Sequence, residues 1–294
     1  MLSPIVLFVY NRLEHTRKTI EALQKNELAK DSELFVYSDG PKNEENIKKV
    51  NEVRKYINSI DGFKKVKIVE REINFGLARS IIAGVTDIVN KYGKIIVLED
   101  DIVTSPYFLT FMNDALCLYE NEEKVMHISG YFFPVENKNL PETFFYNQTS
   151  CWGWGTWSRS WNLLDHDVDS LLKKLKFIPK EIKKNFYYKN MISQLGANKV
   201  GKINTWGARW QASVLLNEGF CLHPKFSFVE NIGNDGSGVH CNINDTFDVE
   251  RFGKKIKIIK QNIKELETAK NLMNNFFIEN RGSFFNRVYR FLFS

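Results

Sequence analysis

The chain has 294 residues, of which 43% are hydrophobic and 26% charged, a balance typical of a globular protein with a sizeable core. Its net charge of +6 is concentrated in residues 251–294, where ten Lys or Arg and three Glu give +7, so that residues 1–250 sum to −1. No nucleic-acid-binding motif accompanies this charge, and we expect no nucleic-acid partner. The sequence also has neither the long apolar run of a membrane span nor the features of a secretory signal, so we expect neither.

Strands and helices alternate in the first part of the chain. Apolar runs predict strands at residues 5–10, 34–37, 66–69 and 95–98, and helical spacing predicts helices at about 14–24, 43–60 and 78–90. This alternation is typical of βαβ units, so we predict an α/β fold with a mostly parallel central sheet flanked by helices. Further along, we predict a strand at 125–129, an aromatic and Gly-containing loop over 131–160, and helices at 171–175 and 181–195.

Three consecutive acids follow the strand at 95–98. Glu99, Asp100 and Asp101 repel one another and are costly to desolvate, which indicates a positive partner. A hard divalent cation, with oxygen ligands and remaining positions for water or phosphate, suits them. The alternative is that the acids cap the next helix, but Ser105 before Pro106 already supplies a cap.

Other polar residues follow neighbouring strands of the predicted sheet. Asn11 and Arg12 follow the first strand and Asp39 the second, while Asn74 and Arg79 flank a Gly turn at a helix start that favours an anion. Ligands bind at the carboxyl edge of such a sheet, and all of these residues belong to that edge.

This ordered set resembles the GT-A fold of nucleotide-sugar-dependent glycosyltransferases, in particular bacterial family 2-like proteins and animal N-acetylglucosaminyltransferase I. The resemblance covers about residues 3–241, through segments at 105–108, 127–130, 150–155, 223–224 and 234–240. It implies a catalytic domain over 1–250, with the nucleotide-sugar side at about 1–125 and the acceptor side at about 126–250.

The resemblance also implies roles for single residues. Asp101 would bind Mn²⁺ or Mg²⁺, with His240 as a further ligand, and Glu99 or Asp100 would contact ribose or sugar hydroxyls. Asp39 would pair with the base and Arg79 with the donor's phosphate or sugar, the expected donor being a UDP-sugar. The loop at Trp152, Gly153 and Trp154, with Trp206 and Arg209 beyond it, would line the acceptor side. Its tryptophans could stack on a sugar, although we expect at least one of Trp152, Trp154 and Trp157 to be buried.

The sequence departs from the family pattern at the catalytic base. Many relatives carry an acid where this chain has Gly207, so the base is unassigned. Asp235 and Glu136 are the candidates, with Glu230 behind them, and the stereochemistry of transfer stays open.

Residues 251–294 form a basic, aromatic tail that is typical of contact with an anionic membrane surface. The alternative is that its phenylalanines pack against the domain. The four cysteines (Cys117, Cys151, Cys221 and Cys241) are widely spaced and indicate reduced thiols of a cytoplasmic protein. We therefore expect a cytoplasmic protein, peripheral on the inner face of the membrane, that uses a glycan or lipid-linked glycan acceptor.

Two other functions fit parts of the pattern. A non-catalytic glycan-binding or scaffold protein would explain the missing acid at Gly207. A sugar nucleotidyltransferase shares a related sheet, but it should carry a Gly-rich basic loop after the first strand, where this chain has Asn11-Arg12-Leu13-Glu14.

Overall fold

The computed structural model describes residues 1–235 and 246–280. The first part of the chain alternates strands and helices as predicted, with bounds that differ by a few residues. In order these are β1 (Ile5–Val9), α1 (Leu13–Gln24), β2 (Glu33–Ser38), α2 (Glu44–Ile57), β3 (Lys65–Glu70), α3 (Leu77–Tyr92) and β4 (Lys94–Glu99). A 3₁₀ turn at Ala29–Asp31 precedes β2.

The second part contains more strands than the sequence predicted. Its elements are β5 (Ile102–Thr104), α4 (Phe108–Leu118), β6 (Val125–Ser129), β7 (Thr143–Tyr146), β8 (Trp154–Trp157), α5 (Ser158–Trp161), α6 (Val168–Lys174), α7 (Lys180–Lys183), α8 (Phe186–Lys199), α9 (Gly207–Leu216), β9 (Phe220–Pro224), β10 (Val229–Asn231) and α10 (Glu267–Glu279). The predicted loop over 131–160 is wrong where β7 and β8 form. Both strands are four residues long and buried at every position, so neither shows the alternation that marks a half-exposed strand.

The large sheet has eight strands in the order β3-β2-β1-β4-β8-β6-β9-β7, and β5 and β10 form a separate pair. Strands β1 to β4 are mutually parallel, whereas β8 runs antiparallel between β4 and β6. The carboxyl ends of β1, β2 and β4 therefore meet at one edge, on both sides of the point where the strand order reverses.

Both faces of this sheet are covered. In β4, Ile96 and Leu98 pack into a cluster with α1, α2 and α4, while Ile95 and Val97 pack into a second cluster with α3 and the tryptophans of α5 and α9. A third cluster joins β7 to α6, α8, α9 and α10. Burial on both faces explains why β4 is a continuous apolar run.

Residues 246–280 pack on this domain. Val249 and Phe252 lie against the first cluster, and the Leu266 N–H donates to the Phe145 carbonyl over 2.9 Å. Phe276 and Phe277, which the sequence analysis placed in the tail, are each 8% exposed. The part of the tail up to residue 280 thus contributes to the core, while residues 281–294 lie outside the described residues and their membrane role stays a prediction.

Candidate functional site

The acids after β4 face a single guanidinium. Arg12, the residue before α1, donates through Nη2 to Asp101 Oδ2 over 2.7 Å and also to Asp100 Oδ1, and its Nε lies 3.4 Å from Asp100 Oδ2. Asp100 and Asp101 are both buried. These two carboxylates are therefore engaged at the sheet edge by Arg12, rather than in capping α4.

Burial shifts the pKa values of the acids and of Arg12 in this cluster. Burial raises the pKa of Glu99 to about 8, and the charges of Asp101 and Asp100 add to the effect. Burial also raises the pKa of Asp100 to about 6, against the opposing charge of Arg12. Burial disfavours the charge on Arg12 as well, but the two aspartates outweigh this and raise its pKa. One guanidinium thus incompletely compensates three carboxyl groups.

The arrangement of Asp100 and Asp101 fits a cation. One oxygen of each carboxylate converges on the same Arg12 nitrogen, which marks a point of concentrated negative potential. Gly233 lies directly against this point, because a Cβ there would overlap the Asp101 carboxylate. Within residues 1–235 and 246–280 no three His, Cys, Asp or Glu side chains form a metal cluster, and the predicted ligand His240 lies outside that part. A Mn²⁺ or Mg²⁺ ion on Asp101 would complete its shell with phosphate oxygens and water.

Asp39 joins the end of β2 to the start of α3. Its carboxylate accepts hydrogen bonds from the N–H groups of Gly40, Phe75 and Gly76 over 2.9 to 3.0 Å. Asn74 donates to the Gly40 carbonyl over 2.7 Å, closing the same turn. Gly76 has a φ of +71°, a conformation that glycine adopts without strain. Asp39 therefore organises the loop at the sheet edge from a buried position.

Two arginines flank one aromatic ring beside this loop. The guanidinium carbons of Arg71 and Arg79 lie 4.3 and 4.0 Å from the centroid of the Phe75 ring. Arg71 also donates to the Ser80 carbonyl and hydroxyl, which fixes it against α3. Arg79 was predicted from the sequence as a site residue, whereas Arg71 was not. The strand-end rule that found Arg12 would have found it, because Arg71 directly follows β3.

Asn11 lies next to Arg12 at the carboxyl edge of the sheet. Its side-chain amide donates to Asn46 Oδ1 over 2.6 Å, which ties the end of β1 to the first turn of α2. The structure thus brings Asn11, Arg12, Asp39 and Asn74 to the carboxyl edge with the acids, as predicted from strand order. Asn11 and Asn74 make internal contacts there that hold the loops together.

The tryptophan loop is mostly core. Trp154 is fully buried in β8, so the prediction that it stacks on a sugar is wrong. Trp206 is 4% exposed, and its ring is enclosed in the same way. Their rings stack on each other at 5.0 Å in the cluster beneath the sheet. Trp152 is only half-buried and packs edge-on against Tyr131 at 4.5 Å. Gly153 lies between Trp152 and Trp154 and turns the chain there with a φ of +60°.

The start of α9 is closely packed at Gly207. A Cβ at Gly207 would lie 2.7 Å from the sulfur of Cys151, so the space that an acid would need is taken. Cys117, Cys151 and Cys221 are all free thiols. Arg209, two residues further in α9, donates to Asn198 and Asn204 over 3.3 and 3.0 Å.

The two candidate bases have different surroundings. Asp235 Oδ2 lies 3.1 Å from Nε2 of His15, which is one turn along α1 from Arg12. Two residues before Asp235, Gly233 touches the Asp101 carboxylate. Glu136 lies on the loop between β6 and β7, with its side chain 77% exposed, and pairs with Lys138. Of the two candidates, the described contacts connect Asp235 to the acidic edge. His15 was missed, because nothing in the local sequence links it to residue 235.

The sheet order and the acidic carboxyl edge define the GT-A class of nucleotide-diphosphosugar transferases. The chain belongs to glycosyl transferase family 2, since the profile of that family matches residues 5–164. It is therefore a glycosyltransferase by family. A comparison with curated proteins found no match.

Solved structures give distant likenesses. The mannosyltransferase PcManGT from Pyrobaculum calidifontis, in complex with GDP-Man and Mn²⁺, has 10% identity and a TM-score of 0.43 over 74% of this chain and 70% of its own. TarS residues 1–349 from S. aureus has 14% identity and a TM-score of 0.45 over 78% of this chain and 60% of that structure. Within the described part of the chain, no helix is long and apolar enough to cross a membrane.

Proposed function

We propose that this protein transfers a sugar from a nucleoside-diphosphate donor, with a UDP-sugar expected, to a hydroxyl of a glycan or lipid-linked glycan. The pathway proposed is bacterial surface-polysaccharide synthesis, such as capsule, O-antigen or lipooligosaccharide. The observation that carries the proposal is the convergence of Asp100 and Asp101 on one cationic point at the carboxyl edge of the sheet, in a family 2 chain. The transferred sugar is a hexose or an N-acetylhexosamine.

The donor would lie along the loops that follow β1 and β2. Asp39 would pair with the base, and its three backbone hydrogen bonds keep the carboxylate fixed for that purpose. Arg79, with Arg71 beside it on the Phe75 ring, supplies positive charge for phosphate or sugar oxygens. Glu99 or Asp100 would contact sugar or ribose hydroxyls.

Asp101 would hold Mn²⁺ or Mg²⁺ together with His240. When bound, the ion stabilises the negative charge that develops on the departing diphosphate. Arg12 is the resident counter-ion of the same carboxylates, so it also contributes positive charge at the position where the diphosphate would lie.

Asp235 is our candidate for the group that removes the acceptor's proton in an inverting reaction. His15 contacts its Oδ2 atom, and this contact would help to orient the carboxylate towards the acceptor. Glu136 is the weaker candidate because its described contact is with a surface lysine.

The test combines binding with turnover. Thermal shifts with a panel of nucleoside diphosphates and nucleotide sugars, with and without Mn²⁺, should show metal-dependent stabilisation by one donor. Asp101→Asn should abolish this shift and lower donor turnover by at least about 100-fold, since charge stabilisation at the leaving group is lost. The matched control is Asp61→Asn, because Asp61 lies exposed in the turn before β3. Absence of any nucleotide-dependent shift in the wild type would contradict the proposal.

A non-catalytic glycan-binding or scaffold role is the second candidate. It is favoured by the start of α9, where Cys151 leaves no room for an acid at position 207. Donor hydrolysis or transfer by the wild type that disappears in Asp101→Asn would exclude this role. A sugar nucleotidyltransferase has no comparable observation in its favour.

A further inference from the structure

One aromatic side chain projects from the surface far more than any other in the described part of the chain. Phe177 ends a 3₁₀ turn (Leu175–Phe177) between α6 and α7 and is 88% exposed. Leu175, two residues earlier, is fully buried, and its carbonyl accepts a hydrogen bond from the Tyr188 hydroxyl over 2.9 Å. The turn is therefore anchored to the domain, and the fold holds Phe177 outward.

Lysines flank Phe177 in the sequence. Residues 173–189 contain seven Lys and a single acid, Glu181. Lys174 pairs with Asp165 over 2.8 Å, and Lys183 donates to the Lys176 carbonyl over 2.6 Å. Lys176, Lys180 and Lys184 are exposed, and no ion pair involves them within residues 1–235 and 246–280. We name residues 173–184 the Phe177 knuckle, a surface that combines an exposed aromatic side chain with the exposed Lys176, Lys180 and Lys184.

The end of α10 lies beside the knuckle. The Phe277 ring stacks on Phe186 at 4.3 Å, and Asn274 accepts a hydrogen bond from the Phe186 N–H and donates to Asn185, the residue after Lys184. The chain continues from α10 into residues 281–294, which contain three Arg and no acid. The end of α10, almost a hundred residues further along the chain, therefore packs beside the knuckle.

We propose that the Phe177 knuckle is a docking surface for an anionic phospholipid bilayer. Lysines beside an anionic leaflet are attracted by its surface potential, and an aromatic ring at their centre can enter the headgroup region. The high positive charge favours this partner over a neutral protein surface, since aromatic rings in protein interfaces are not normally ringed by lysine. The proposal adds to the predicted tail a surface that belongs to the folded domain, and it does not depend on which sugar is transferred.

Cosedimentation of the full chain with vesicles tests the surface directly. Vesicles containing phosphatidylglycerol should bind the wild type, and vesicles of phosphatidylcholine alone should bind it weakly. The double variant Lys176→Gln with Lys180→Gln should bind the anionic vesicles roughly 30-fold more weakly, at about 5-fold for each lysine removed. Phe177→Ser should reduce binding about 10-fold, because the apolar contact is lost.

Matched controls lie at the opposite end of the sheet, on α2. The double variant Lys48→Gln with Lys55→Gln removes the same amount of charge as the knuckle double variant. Ile47→Ser removes an exposed apolar side chain, as Phe177→Ser does. Neither control should change vesicle binding. Wild-type binding by both knuckle variants would overturn the proposal. It would also be overturned if those variants lost binding to a soluble polyanion such as polyglutamate but kept vesicle binding. Because the assay contains no nucleotide, its outcome is separate from that of the donor-binding test.

Discussion

At the scale of single residues, Arg12 determines the character of the site. Its guanidinium is shared between Asp100 and Asp101, whose side chains are 7% and 10% exposed. Buried carboxylates without a positive partner are very costly, so Arg12 is required for the stability of the site whenever no metal ion is present. A divalent ion and Arg12 would bind overlapping oxygens, and the two cations should therefore compete.

This competition predicts the behaviour of Arg12→Gln. The variant should lose about 3–5 kcal/mol of unfolding free energy, because two buried carboxylates lose their counter-ion. Addition of Mn²⁺ should raise the melting temperature of the variant more than that of the wild type, since the ion replaces the missing charge. Urea unfolding and thermal melts with and without Mn²⁺ measure both effects.

Arg17→Gln is the control for this experiment. Arg17 lies on the same helix and is 3.8 Å from Glu14 in an exposed pair. Its replacement should change stability by less than about 1 kcal/mol and leave the Mn²⁺ response unaltered. Equal Mn²⁺ responses in Arg12→Gln and the wild type would contradict the idea of competition.

At the scale of secondary-structure elements, α9 is positioned by a close contact at its first residue. Gly207 abuts Cys151, which lies in the loop before β8. Alanine normally stabilises a helix relative to glycine by up to about 1 kcal/mol. At position 207, however, the methyl group of alanine would contact the Cys151 sulfur. Sterics at this contact, and not helix propensity, should decide the effect of a substitution.

We predict that Gly207→Ala destabilises the protein by about 1–3 kcal/mol, the usual cost of overpacking. In a Cys151→Ala background the same substitution should be neutral or stabilising, which a double-mutant cycle of urea unfolding measures. Gly196→Ala in α8 is the control, because a Cβ there meets nothing within 4 Å. It should stabilise the protein slightly. Additive effects at positions 151 and 207 would show that the contact is not energetically coupled.

At the scale of the whole molecule, stability should depend on buried histidines in the mixed part of the sheet. Burial lowers the pKa of His127 to about 3 and that of His223 to about 4, and for His127 the nearby His223 adds to the effect. The Nδ1 atom of His127 accepts a hydrogen bond from Trp210, and protonation there would break it. In the unfolded chain both titrate near about 6.5, so their neutral burial costs stability as the pH falls below that value.

The pH dependence is best measured as a difference between variants. The raised pKa values of Glu99 and Asp100 increase stability as the pH falls, which opposes the effect of the histidines. The pH dependence of the total unfolding free energy therefore combines both effects. Relative to the wild type, His223→Gln should gain about 1.4 kcal/mol of unfolding free energy per pH unit as the pH falls from 6.5 towards 4. Urea unfolding across this range measures it. The same substitution at the exposed His166 should leave the slope unchanged, and a pH-independent difference for His223→Gln would refute the assignment.

The sequence by itself determined the alternation of β1 to β4 with α1 to α3 and the gathering of Arg12, Asp39 and the acids at one edge. These features follow from local periodicity, turn residues and the rule that parallel strands end together, so they can be read without knowing any long-range contact. The departure from the family pattern at Gly207 was also visible in the sequence, but its contact with Cys151 was not.

Only the tertiary structure decided which of these groups touch. Arg12 is paired with residues 88 and 89 positions away, and His15 with a residue 220 positions away. The enclosure of Trp154, the short buried strands β7 and β8, and the packing of α10 against Phe186 likewise depend on contacts between distant segments. A residue's own neighbours in sequence fix its conformational preference, whereas its burial and its partners are fixed by the global topology of the chain.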